Sequence, residues 1–434
     1  MSIVNWQIPR PLLTVNNLAW FGGFMLVFWA PFWSGARLPL LLLVVLGVVI
    51  HVRGGHLIPE NVSERRWGTL FLLLFLPCLL ASAFSLKPQA SLTLCLVLFL
   101  HFWVGLALLA GLRNQGHARL ATWIGLTLLF WSLDGLIQFT LGQDLFGQPL
   151  ALPEAPKAIR VTGPFGDNLH MGLFVGVMMP LLLWPVARAR PWTALLLFLF
   201  MSTIAFLSGA RTVLVFTTLA ALALMFRLPA WKYRAALLGL CFAPLLVVPL
   251  SPVLHERVME RDYLSAVKPS PPASKSSLYD RVNAVLSGRL WIWEAAGNMV
   301  LAHPLVGVGP GAFDSAYPNY AHRPDDYLRV ANSEGKHAYH AHQMYLGIAA
   351  ENGLIGLSGL LACIVLVARW FRRASSPARD RAAPYLACLA VIAFPINSQP
   401  ILFSGWWFPI VLLLLCGFLA ALEEQTPSHT PGAE

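Results

Sequence analysis

Charged side chains are scarce in this chain of 434 residues: Asp, Glu, Lys and Arg together make up 12% of it, against 57% apolar residues. So little polar surface cannot cover a water-soluble globule, and an integral membrane protein is the expected class. Cysteine is scarce too. The six present (Cys78, Cys95, Cys241, Cys363, Cys388 and Cys416) all fall within or beside apolar runs. That distribution excludes a disulfide framework and a cysteine metal cluster, and it suits small buried hydrophobes. No repeat of fixed period runs through the chain. The first apolar run lacks a short hydrophobic core followed by a small-residue cleavage site, so the first span is expected to remain as an anchor. A net charge of +10 is present, but not as the clustered basic face with aromatics that nucleic acid requires, so no nucleic-acid partner is expected.

What the chain has in abundance is apolar runs of spanning length, about 20 residues each. Hydropathy predicts twelve, near 16–33, 38–52, 67–84, 90–112, 120–142, 168–187, 192–209, 212–228, 235–253, 342–371, 385–403 and 406–422. The expected fold is therefore an all-α polytopic membrane protein with about twelve transmembrane helices. Spans one to nine occupy 1–253, one large external loop with short helices occupies 254–341, the last three spans occupy 342–422, and 423–434 is a short disordered tail. The even-numbered loops hold fifteen lysines and arginines and the short odd-numbered loops five. Positive charge marks the cytoplasmic side, so both termini are expected inside and the odd loops outside. The large ninth loop is neutral, with nine basic and nine acidic residues. Within it 268–277 reads as a linker. A helix is expected over 288–302, capped by Ser287, with Leu290, Trp293, Ala296, Gly297 and Val300 on one face, lying at the bilayer interface.

Three external arginines run against the orientation rule. Arg211 sits in a very short link, Ser208-Gly209-Ala210-Arg211-Thr212. Arg289 opens the interfacial helix, and Arg160 precedes Gly163-Pro164-Phe165-Gly166. The guanidinium fork suits bidentate binding of phosphate oxygens, although each arginine could equally contact a headgroup or pair with an acid. His340 and His342 stand at the lip of the tenth span, followed by Gln343. Two residues apart, they would diverge on a helix, and no cysteine or carboxylate pattern completes a zinc site, so no metal is expected. A neutral imidazole at such an edge can take a proton from a sugar hydroxyl, or can simply cap the span. Glu351 lies deeper in the same span and is expected to pair with an arginine. Asp134 and Gln138 share a face of the fifth span as bundle-interior contacts, and His101 and His170 are read the same way. The turn Gly307–Gly311 has the glycines of a phosphate loop, but no strand precedes it and no Gly-Lys-Ser/Thr follows, which excludes a nucleotide site.

Several of these stretches together resemble the O-antigen ligase and polymerase superfamily. They are Ser208–Thr212, Gly288-Arg289-Leu290-Trp291-Ile292-Trp293, His303-Pro304-Leu305-Val306-Gly307-Val308-Gly309-Pro310-Gly311-Ala312-Phe313, and His342-Gln343 followed after nine residues by Gly353-Leu354-Ile355-Gly356. The family pattern often has asparagine or serine where Gln343 stands. Within the superfamily the chain is most similar to the ligases that move O-antigen from undecaprenyl diphosphate to the lipid A–core of lipopolysaccharide. The resemblance implies a metal-independent, cofactor-free, inverting glycosyl transfer at the periplasmic face of the inner membrane, among membrane lipids. His342 matches the essential histidine, and Arg211 and Arg289 match the arginines assigned to the diphosphate. Arg160, His340, Gln343, Glu351 and Gln138 are the further candidates for substrate contact. The alternatives left open are an O-antigen polymerase, a protein O-oligosaccharyltransferase and, from another class, a lipid-linked sugar transporter. Oligomeric state is not legible.

Overall fold

The computed structural model describes residues 14–32, 36–54, 61–152, 155–166, 170–209, 212–250, 278–286, 288–323, 326–331, 335, 340–397 and 404–423. Arg211, the Ser287 cap, the 268–277 linker and all of the tail but Glu423 lie outside them. The apolar runs are helices, as they must be where hydrocarbon offers no partner for backbone N–H and C=O groups. In chain order they are α1 (Val15–Phe28), α2 (Arg37–Gly54), α3 (Val62–Ala83), α4 (Pro88–Leu112), α5 (Gly116–Leu141), α6 (Met171–Ala189), α7 (Pro191–Leu207), α8 (Thr212–Met225), α9 (Trp231–Leu250), α10 (Leu278–Val285), α11 (Arg289–Ala302), α12 (Phe313–Tyr320), α13 (Met344–Arg373), α14 (Ser376–Ile392) and α15 (Trp407–Ala421). Local chemistry sets several starts. The Thr14 hydroxyl accepts from the Asn17 N–H at 3.2 Å, and the Asn61 side chain accepts from the Ser63 N–H at 2.9 Å. Two short antiparallel strands, β1 (Ala151–Leu152) and β2 (Ala155–Ile159), interrupt the α5–α6 connection.

A helix stands at each of the twelve expected spans. Among the described residues six helices are long and apolar enough to cross a membrane (α2 to α6 and α13), and α1, α7, α8 and α15 are apolar but shorter. One boundary differs clearly from expectation: the run placed at 385–403 belongs to α14, which starts at Ser376. Hydropathy hides its first turns because they carry Arg379, Asp380 and Arg381. Those charges are used, since Arg227 Nη1 meets Asp380 Oδ1 at 2.6 Å and Arg381 donates to the carbonyls of Ala421 (3.2 Å) and Glu423 (3.0 Å).

Close helix contact comes from small residues opposite large ones, as in membrane bundles generally. Trp67 lies over Gly105, where a Cβ would come within 2.3 Å of the indole, and its Nε1–H donates to the Phe102 carbonyl at 3.1 Å. The connections sort to two ends. At one end Trp406 donates to the Ala30 carbonyl, Leu86 N–H to Val308, Val161 N–H to Leu207, and Gln343 to Pro395, so the odd-numbered loops are mutually bonded. At the other end Arg113 pairs with Glu64, Trp20 donates to Gly116, and Tyr385 donates to His117.

The odd-loop end carries a small core of its own, distinct from the main bundle core. It joins Ile292, Ala295, Ala296 and Met299 of α11, Phe313, Ala316 and Tyr317 of α12, and Ala341 and Ala350 beside or within α13. The buried face of α11 is Ile292, Ala295, Ala296 and Met299; of the set read from periodicity only Ala296 is fully buried, while Leu290, Trp293, Gly297 and Val300 are half-buried. Small alanines face the neighbouring helices because the backbones approach closely, and hydrophobicity alone does not distinguish that face from the tryptophan face.

Candidate active site

Helix α13 is broken at Gly353, whose φ of 65° and ψ of −170° are accessible essentially to glycine alone. The break frees backbone groups on both sides, and the segment 304–309 satisfies them. Leu354 and Ile355 N–H donate to the carbonyls of Pro304 (2.8 Å) and Leu305 (3.2 Å), while Val308 and Gly309 N–H donate to the carbonyls of Ala350 and Glu351, both at 2.9 Å. Glycine is required on both partners, since a Cβ at Gly353 would sit 2.1 Å from the Leu305 oxygen and one at Gly307 2.4 Å from the Glu351 carbonyl carbon. Ser91 Oγ braces the same turn through the Pro310 carbonyl at 2.7 Å. The two glycine-rich motifs, far apart in sequence, are therefore the halves of one joint.

Above that joint, α13 starts at Met344, so His340-Ala341-His342-Gln343 precede the helix and the helical divergence expected of the two histidines does not arise. Their rings lie 4.0 Å apart between centroids, at 45°. His342 has φ of 51°, a left-handed conformation that costs a non-glycine residue on the order of 1–3 kcal/mol and tends to mark functional sites. It is held on both sides: Ala341 is 1% exposed in the small core, and Gln343 is the N-cap of α13. The Gln343 Oε1 accepts from the Leu346 N–H at 2.5 Å, and its Nε2 donates to the Pro395 carbonyl at 3.3 Å. An N-cap explains why asparagine or serine suits this position, since each places an acceptor over the first turn.

Arg289 is the first residue of α11. Gly288 at φ 80° makes the turn into it, and Asn283 holds the helix start by accepting from the Leu290 N–H at 3.0 Å. Nothing in the pattern of the sequence marks Asn283. Ile292 of α11 and Ala341 of the lip are buried in one small core, so α11 and the segment that carries His340 and His342 belong to the same packed unit. On the outer face Arg323 Nε meets Glu294 at 2.9 Å and Tyr279 donates to the same carboxylate at 3.0 Å. Burial pushes the Glu294 carboxyl up, but the hydrogen bonds and charge from Arg323 and Tyr279 outweigh it and leave the group below its usual value. A depressed carboxyl stabilises the fold above its unfolded pKa and loses that contribution as pH falls through the folded value. With both side chains partly exposed the expected loss is small: a slight drop in thermal stability as pH falls below the usual carboxyl value of 4.5, which Glu294→Gln removes.

Arg160 meets the short α7–α8 link. Val161 N–H donates to the Leu207 carbonyl at 3.1 Å, and the Arg160 side chain covers Gly209, with Nε 3.2 Å from where a Cβ would lie. Gly209 stands two residues before Arg211 in the chain, and its cover by Arg160 is a pairing that sequence separation gave no means of anticipating. Gln138, fully buried, anchors this loop: its Oε1 accepts from Thr162 and Gly163 N–H at 2.8 Å each, and its Nε2 donates to the Gln148 and Pro149 carbonyls at 3.3 Å. Its amide is occupied by the loop it positions. His170 stacks on Trp406 with ring centroids 4.7 Å apart, tying the fifth connection to the last. Glu351 directs its carboxylate to the backbone N–H groups of Gly311 (3.0 Å) and Phe313 (3.4 Å), where an arginine partner was expected.

Residues 196–361 match the family model of the O-antigen ligases. The matched segment runs from within α7 to within α13 and contains the α7–α8 link, the start of α11, both halves of the glycine joint and the His340–Gln343 lip. The family is one of glycosyltransferase-type membrane enzymes of O-antigen assembly, ligases and polymerases alike, and the helical architecture agrees with that setting. A comparison with curated proteins gave no match.

Proposed function

We propose that the chain is an O-antigen ligase of the bacterial inner membrane, with its odd-loop end at the periplasmic face and both termini in the cytoplasm. Its donor is a glycan on undecaprenyl diphosphate and its acceptor a hydroxyl of the lipid A–core of lipopolysaccharide. The acceptor oxygen attacks the anomeric carbon while the bond from that carbon to the diphosphate oxygen breaks, with inversion. The hydroxyl proton passes to His342 as general base, and undecaprenyl diphosphate departs with its charge held by Arg211 and Arg289. Arg160 stands beside the Arg211 link as a further cation for the diphosphate. His340 packs on the His342 ring, and Gln343 sets its backbone. Holding donor and acceptor in one groove contributes much of the rate through orientation.

The observation that supports this reading most is the strained left-handed backbone of His342 within the matched segment, on a lip that shares its small core with the helix opened by Arg289. The purified protein in detergent, given donor and lipid A–core without metal or nucleotide, is expected to form ligated product. Product formed instead with a second donor molecule would make it a polymerase, and with a pilin-like protein a protein O-oligosaccharyltransferase. No product with any acceptor would favour a transporter. In the same assay Arg289→Lys keeps the charge but loses the fork, and a clear rise in the donor KM is expected; an unchanged KM would remove Arg289 from the diphosphate.

A further inference from the structure

We infer that Glu351 is a positioning residue: its carboxylate, acting on backbone N–H groups rather than on substrate, sets α11 and its Arg289 end in register with His342. The inference rests on the ligase reading for its activity assay but not for its structural one.

Helix α12 has Ala312 at its N-cap and no side-chain cap of its own. The Glu351 Oε1 supplies it from α13, accepting from the Gly311 N–H at 3.0 Å and the Phe313 N–H at 3.4 Å. An acceptor oxygen there satisfies N-terminal donors that the helix itself leaves unpaired. The Glu351 main-chain carbonyl accepts from Gly309 N–H, so one residue grips the turn twice. The grip is transmitted along a short path. Phe313, Ala316 and Tyr317 of α12 share the small core with Ile292, Ala295 and Ala296 of α11. Met344 to Asn352, roughly 13 Å of helix, joins the Glu351 grip to the lip where His342 stands. Arg289 and His342 thus sit on two rods locked together at their far ends by the Gly307–Gly311 turn, and Glu351 is the only side chain of α13 bonded to that turn among the described residues.

A backbone-directed acceptor needs an oxygen, not a charge. Glutamine retains that oxygen and alanine does not. Glu351→Gln is therefore expected to keep turnover near wild type with an unchanged pH profile. Glu351→Ala is expected to lower turnover by about 10- to 100-fold, the cost of a misplacement near 1 Å, with a smaller change in donor KM and a lower unfolding temperature in detergent. If Glu351→Gln loses as much activity as Glu351→Ala, a proton or charge at Glu351 is used on substrate and the positioning role is wrong; if Glu351→Ala loses neither turnover nor thermal stability, the grip is not needed. Should Glu351→Ala fail to accumulate, Glu351→Asp takes its place, one methylene short, with a partial loss expected and wild-type behaviour overturning the inference. Wild-type protein that transfers no glycan would sink the ligase reading alone, leaving the unfolding temperatures to decide Glu351.

Discussion

His342→Ala is expected to lower glycan transfer by about 10²- to 10⁴-fold, the range a positioned general base contributes, with the protein present in the membrane at its normal level. The backbone at His342 lies at φ 51°, and alanine inherits the same strain, so the substitution removes the imidazole without relieving the conformation. Its neighbours are fixed independently of the ring: Ala341 by the small core, Gln343 by its bonds to Leu346 and Pro395. His342→Gly is a sharper companion, because glycine accepts a positive φ at no cost. That variant is expected to unfold at an equal or higher temperature than wild type while being as inactive as His342→Ala. Transfer at the wild-type rate by either variant, measured as lipopolysaccharide carrying O-antigen and as product in detergent, would refute the assignment of the base.

Gly353→Ala is expected to have the largest effect on folding. A Cβ there would lie 2.1 Å from the Leu305 oxygen and 2.2 Å from its carbon, both backbone atoms that no side-chain adjustment can move. The φ of 65° with ψ of −170° is also closed to alanine, adding a strain on the order of 1–3 kcal/mol to the clash. The chain must give up the bonds from Leu354 and Ile355 to Pro304 and Leu305, and with them the joint that seats α11. Low recovery of monodisperse protein, a lower unfolding temperature and loss of transfer should appear together. Gly347→Ala, six residues earlier on the same helix, is the control: its Cβ would meet only Ala341 Cβ, at an ordinary 3.6 Å, and near-normal stability is expected. Equal behaviour of the two variants would mean that the break at Gly353 does not hold the site together.

The clash at Gly353 also marks where reading the sequence stops. The twelve runs were legible because hydropathy is a local signal summed over a window, and each has its helix. Asp380 and Arg381 show the limit of that signal, since a helical turn held by ion pairs and carbonyl contacts looks like a loop to a hydropathy window. The motifs around Arg211, Arg289, the glycine turn and His342 were also visible, and they fall inside the segment that matches the ligase family. Their relation to one another was not.

By itself the sequence determined that this is a helical membrane protein, which runs are helices, and which residue types gather in the late loop and at the lip of the tenth span. Only the tertiary structure decided that the Gly307–Gly311 turn fills the break at Gly353, that Arg160 covers Gly209, that α11 buries its alanines rather than its tryptophans, and that Glu351 and Gln138 spend their polar atoms on backbone. The physical reason is one of range. Hydropathy and capping act between residues within a turn or two, whereas the site is made by backbone hydrogen bonds and glycine contacts between segments some 50 residues apart, whose pairing depends on how the helices pack.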